Sequence, residues 1–168
     1  MEQEGFIKVY GREERQDQLI QIGKSKWLLI FGCYTDTEMG GYELRKYYTS
    51  RPDRSALRTD LEGLINSITD ESILTGLTWN GLPVYLSTEN QINFKAAYDL
   101  AFQTDGATLP VKFKLGEDTD GAAVYYTFED MDTFTDFYTA AVKHVTDCLA
   151  EGWDEKDGID YSGLLGDE

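Results

Sequence analysis

Hydrophobic and polar positions change period several times along this chain, and each change marks an expected element. Phe6-Ile7-Lys8-Val9-Tyr10 alternates, as a half-buried strand does. Leu19-Ile20-Gln21-Ile22 leads into a turn at Gly23, and Lys26 to Tyr34 is an apolar run of the kind buried on both faces. Tyr42 to Tyr48 alternates again after the turn signal Gly40-Gly41. Residues 1–50 are therefore expected to form a small antiparallel β meander. The charged connection from Gly11 to Gln18, GREERQDQ, is expected on the surface.

At Arg51-Pro52-Asp53 the pattern turns helical. Proline disfavours helix at the residue before it and is tolerated in a first turn. Leu57, Leu61, Leu64, Ile65 and Ile68 then share one face of a helix over 53–70. Asn80-Gly81 between two apolar runs predicts a hairpin with a type I′ turn, since both residues tolerate positive φ. Ser87 and Thr88 can start a helix that reaches Gln103, with Thr88 and Gln91 at capping-box spacing. Ile92, Ala96 and Leu100 mark its expected buried side, and Asp105-Gly106 stops it. Leu109 to Leu115 and Ala122 to Phe128 form a second hairpin around GEDTDG. The last helix, from about Glu129 to Glu151, carries the apolar stripe Met131, Phe134, Tyr138, Ala141, Val142, Val145, Cys148 and Leu149. Gly152 is its expected left-handed stop.

These elements predict an α+β fold. An antiparallel sheet of hairpins carries three helices packed on one face, preceded by the N-terminal β meander. The expected division is a β-rich segment over 1–50, an α+β core domain over 51–153 and an acidic tail over 154–168.

Charge narrows the function classes. Against 15 basic residues stand 31 acidic ones, for a net charge of −16. A nucleic-acid backbone needs a basic surface, and an anionic membrane needs the same. Neither partner is expected, and solubility is the simplest role for the charge. The two cysteines, Cys33 and Cys148, lie in apolar settings without metal-ligand spacing and are expected as free buried thiols, with a single bridge between them as the alternative that sequence does not decide. The first residues have no basic region or long apolar core, so a cytosolic origin is expected.

No catalytic constellation emerges. His144 is the single histidine, without a nearby nucleophile in sequence, and reads as a helix-face residue. Asp118-x-Asp120-Gly121 opens like a calcium loop but lacks the closing bidentate glutamate, so it reads as a polar turn. Asp154, Glu155, Asp157 and Asp160 read as a solvated acidic segment. Tyr125 and Tyr126 must point to opposite faces of a strand, which exposes one of them. No catalytic residue, metal ligand or cofactor is expected.

The stretch from about 55 to 160 resembles an uncharacterised domain family of bacteriophage and prophage tail regions. The leading helix, Trp79-Asn80-Gly81, Ser87-Thr88-Glu89-Asn90-Gln91, Val111-Lys112-Phe113 and the closing Glu151-Gly152-Trp153 carry the resemblance. It implies a non-enzymatic phage structural or tail-associated protein acting through protein–protein contacts. An assembly chaperone for a tail fibre or baseplate, or an acidic inhibitor of a host nucleic-acid enzyme, are the alternatives. The implied partners are other tail or virion proteins, with a homo-oligomer as an option. The implied location is the host cytoplasm during assembly, or the virion. Trp27, Leu28, Leu29, Ile30, Phe31, Tyr47 and Tyr48 are the candidate contact residues. Their segment is more apolar than a small meander buries alone, and an unpaired strand invites β-augmentation. Removing residues 1–50 is expected to leave a folded core.

Overall fold

The structure is a computed structural model that describes residues 5–166. Four strands come first: β1 (Ile7–Tyr10), β2 (Gln18–Gln21), β3 (Trp27–Asp36) and β4 (Gly40–Tyr48). Then follow α1 (Arg54–Thr75), β5 (Leu77–Trp79), β6 (Leu82–Val84), α2 (Thr88–Gln103), β7 (Val111–Glu117), β8 (Ala123–Phe128), α3 (Met131–Asp157) and α4 (Tyr161–Leu165). The fold is α+β with antiparallel strands. It divides into two compact units. One holds the chain up to Ser67 and from Asp154 onward, and the other holds Ile68–Trp153. This differs from the expected division at 50 and 153: the first boundary falls inside α1, and the segment after 153 rejoins the N-terminal strands.

In the first unit the strands lie in the order β1-β4-β3-β2. β2, β3 and β4 form the successive hairpins of the expected meander. β1 does not join β2 but pairs with the far edge of β4, with Ile7 opposite Arg45 and Tyr10 opposite Tyr42. That is a Greek-key order, and it requires the 11–17 connection to cross the end of the sheet. The charged residues of the connection hold the crossing. Arg12 N donates to Gly41 O (3.2 Å), Gly32 N donates to Asp17 Oδ1 (2.8 Å), and Arg15 pairs with Asp17 and Glu155 (2.8 and 2.7 Å). Gly32 sits in a bulge of β3 with φ +73°, a region that favours glycine.

Pairing register assigns the faces of this sheet. Tyr48 donates to Asp60 of α1 (2.7 Å) and Lys46 pairs with the same carboxylate (2.8 Å), so these residues and Leu44 face α1. Their cross-strand partners Trp27, Leu29 and Phe31 share that face. There the buried Leu57, Leu61, Leu64 and Ile65 of α1 complete the core. Ile159, Leu164 and Leu165 are buried as well, and Arg51 donates to the Leu165 carbonyl. The acidic tail is therefore docked, with Asp160 capping α4 through Gly163 N (2.8 Å).

The second unit holds two hairpins, α2 and most of α3. Asn80 and Gly81 have φ 49° and 78°, as the type I′ turn requires. The hairpins β5–β6 and β7–β8 remain separate ladders, joined by Tyr85 N donating to Leu115 O (2.7 Å). Pro83 explains the interruption. Opposite Thr78 it occupies a position whose backbone groups point away from β5, and proline offers no donor there. Its carbonyl instead approaches Gly116, where a Cβ would lie 2.7 Å from that oxygen.

Three packing expectations are corrected here. The buried side of α2 is Phe94 and Ala101, with Ala97 and Tyr98 partly covered, while Ile92, Ala96 and Leu100 are exposed. On α3, Phe134 is buried as expected and Tyr138 and Val145 are partly buried, but Val142 is exposed and Phe137 takes the central place. Gly152 does not end α3, which continues to Asp157. It is buried mid-helix, where a Cβ would lie 2.4 Å from Thr69 Oγ1. The helix start at α2 is also built differently. Ser87 is the cap, accepting from Asn90 N (3.2 Å), and Gln91 reaches back to the Leu86 carbonyl (2.8 Å) instead of closing a box with Thr88.

Candidate functional site

α2 carries apolar side chains all round: Ile92, Phe94, Ala96, Tyr98, Leu100 and Phe102. A helix of that kind is ordinarily buried all round, yet α2 is covered on one side only. Tyr98 joins it to α3. Its ring stacks on Tyr138 (centroids 4.5 Å apart) and meets Phe134 edge-on (5.5 Å), and its hydroxyl is 3.2 Å from Thr135 Oγ1. Phe102 continues the stack outward over Tyr98 at 6.3 Å and remains 69% exposed.

Beside this aromatic stack a groove of about 330 Å³ opens between the two helices. Leu86, Phe94, Ala141 and Val145 line it, and Ile92 and Val142 flank it at 62% and 48% exposure. Thr88, Gln91 and Thr146 give it a polar rim. Lys95 at the rim is held by Asp99 (2.5 Å), whose hydrogen bond and charge push the ammonium pKa up. Such a surface can take the apolar side chains of another protein.

A larger cavity of about 650 Å³ lies where β6 approaches β7. The Asn90, Lys114, Glu117 and Thr75 side chains that line it are engaged with the protein itself. Asn90 Nδ2 donates to Tyr85 O (2.8 Å), Lys114 pairs with Glu117 (2.6 Å), and Thr75 donates to Glu71 O (3.0 Å).

The structure brings His144 and Cys148 together, with Nε2 and Sγ 3.6 Å apart on one face of α3. Nε2 also lies 2.9 Å from the Ser72 carbonyl, which only accepts, so Nε2 carries the proton and cannot take one from the thiol. Burial, then the nearby Glu151 and Asp147, push the Cys148 thiol up. The thiolate is the reactive form, and a raised pKa lowers its fraction at any pH below that value. Alkylation of Cys148 by iodoacetamide should therefore be slower at pH 8 than that of a free cysteine thiol, with its rate still rising above pH 9. A rate equal to the free thiol's at pH 8 would contradict this.

The candidate contact residues separate by face. Leu28, Leu29, Ile30 and Phe31 are buried in β3, which is paired on both sides by β2 and β4, so no unpaired strand is offered there. Trp27 and Tyr48 are half-buried on the α1 side, and Tyr47 is 56% exposed on the opposite face. Asp118 serves the hairpin turn, accepting from Asp120 N and Ala122 N (3.0 and 2.8 Å). Glu155 and Asp160 are engaged by Arg15 and Gly163. Tyr125 is exposed while Tyr126 packs edge-on to Trp79 (5.0 Å), the expected alternation. Among the described residues, Cys33 and Cys148 are free, no cluster of three metal-ligating side chains exists, and no helix is long and apolar enough to cross a membrane.

Ile92, Phe102 and Val142 were not among the residues expected at a contact. The available signal was the all-round apolar character of α2, which exceeds what one buried face needs. Residues 41–166 match a family described as a domain of unknown function (DUF4376). No curated protein and no solved structure matches the chain.

Proposed function

The chain belongs to the DUF4376 family, and we propose that it is a non-enzymatic bacteriophage or prophage tail-associated protein that works by binding other virion proteins. The observation that carries this reading is the α2–α3 groove with Ile92 and Val142 exposed in its lining. Exposed apolar residues set about a concave surface and rimmed by polar groups mark protein contacts. The resemblance of residues 55–160 to tail-region proteins supplies the partner class. The protein acts in the host cytoplasm during assembly and then stays in the particle.

Mass spectrometry of purified particles tests this, with peptides of the chain expected at a fixed ratio to tail proteins. Presence in infected cells on a fibre or baseplate precursor, with absence from particles, would make it an assembly chaperone instead. Ile92→Glu and Val142→Glu both sit at exposed positions and should change stability by only about 0.5 kcal/mol. Each should nonetheless exclude the protein from particles, because a carboxylate would enter an apolar contact. Incorporation at the parent level by both variants would remove the groove from the proposal.

A further inference from the structure

We propose that the outer face of the four-stranded sheet, around Arg12, Glu43 and Arg45, receives a carboxylate side chain set in an apolar surface of another protein. The inference rests on the reading that this protein works through protein contacts. Glu43 is 2% exposed and is the one buried charged residue among the described core. Its Oε1 lies 2.6 Å from Arg45 Nε and 2.5 Å from another nitrogen of the same guanidinium, and its Oε2 pairs with Arg12 Nε. Among the described residues, no second acidic group lies within ion-pair distance of either arginine. Among the described residues one carboxylate thus holds two guanidinium groups, an excess of one positive charge.

That charge sits in apolar surroundings. Arg45 lies opposite Ile7 on one side and Ile30 on the other, and Glu43 lies opposite Val9. Tyr47 and Ile20 extend the same face, at 56% and 37% exposure. The arginine side chains keep 22% and 32% of their surface, so an incoming group can reach them while water is partly excluded. Glu43 and Gln16 occupy only some of the donors, since each guanidinium has five in a planar fork. A fork at reduced dielectric favours a carboxylate, and the apolar rim favours one carried on an apolar surface. A second copy fits poorly. Two such faces would set like charges against each other, and each chain carries a net charge of −16.

The full-length protein, labelled with nitrogen-15, can be titrated with 3-phenylpropionate, with 3-phenylpropionamide and with inorganic phosphate. The carboxylate is expected to shift the Arg12 and Arg45 side-chain signals and the amides of Ile7, Ile30 and Tyr47 in a saturable way. The amide and phosphate should bind about tenfold more weakly. Arg45→Gln should abolish the shifts, and Arg45→Lys should restore part of them because the charge returns without the fork. Equal binding by the amide, tighter binding by phosphate, or no shift at these residues would overturn the proposal. So would concentration-dependent self-association, by sedimentation, that Arg45→Gln removes. Should Arg45→Gln fail to fold, the carboxylate–amide comparison on the parent still decides. Probe binding does not depend on virus particles: parent protein that binds the probe but enters no particle would sink the tail reading and leave this site standing.

Discussion

Phe137→Ala is expected to destabilise the second unit by about 3–5 kcal/mol, the range for removing a fully buried phenylalanine. Phe137 has no exposed surface. Its ring meets Trp79 and Phe94 edge-on, at 5.2 and 5.1 Å, and lies 5.0 Å from Phe128. It therefore joins the first hairpin, α2, α3 and the second hairpin at one point. Truncation leaves a cavity that three aromatic rings cannot close without losing their other contacts. Trp79 cannot simply rotate into it, because its indole N–H is committed to Asp136 (2.8 Å). A domain with about 5–15 kcal/mol of stability would lose a large part of it. Urea unfolding followed by tryptophan fluorescence should show the midpoint falling with little change in slope. An unchanged midpoint would mean that the ring cluster is not the centre of the core.

Deleting residues 1–50 is the second large effect, and the expected result is collapse of the first unit. The deletion removes all four strands of its sheet. Leu57, Leu61, Leu64 and Ile65, all buried in the intact protein, then lose their cover. At about 1.5–3 kcal/mol for each large aliphatic side chain, the loss is about 6–12 kcal/mol. Asp60 also loses both its partners, Lys46 and Tyr48. Hydrogen exchange reads the outcome directly, through loss of protection at the amides of 57–66. Retained protection there would show that α1 is stable without the sheet.

The contrast between α2's ends and its buried face shows where the sequence was legible. The ends were readable because Ser87 accepts from a backbone N–H three residues on, and because Asp105 and Gly106 take the positive φ that breaks a helix. The face was not, because Ile92-Ala96-Leu100 and Phe94-Ala97-Ala101 are both apolar rows at helical spacing. Periodicity finds rows, but which row meets the core depends on where β7 and α3 lie. The same limit applied to Val142 against Phe137. Strand existence in the first unit followed from alternation, whereas the pairing of β1 with β4 depends on a contact more than thirty residues away in sequence. Gly152 read as a helix stop because glycine commonly serves there, while its real constraint is the Thr69 side chain. The contact groove stayed hidden for the reason that hid the α2 face, since its residues were assigned to the interior.

The chain returns at Asp154 to the unit that it left at Ser67, and this sets an order in time. As the ribosome releases the chain, β1 must wait for β4 before it has an edge to pair with. Ile159, Leu164 and Leu165 emerge only after the whole of Ile68–Trp153 is out. The segment in the middle can thus complete its own core while the unit begun first still lacks its last apolar side chains. In a nascent chain halted near Trp153, the older part would be the unfinished one.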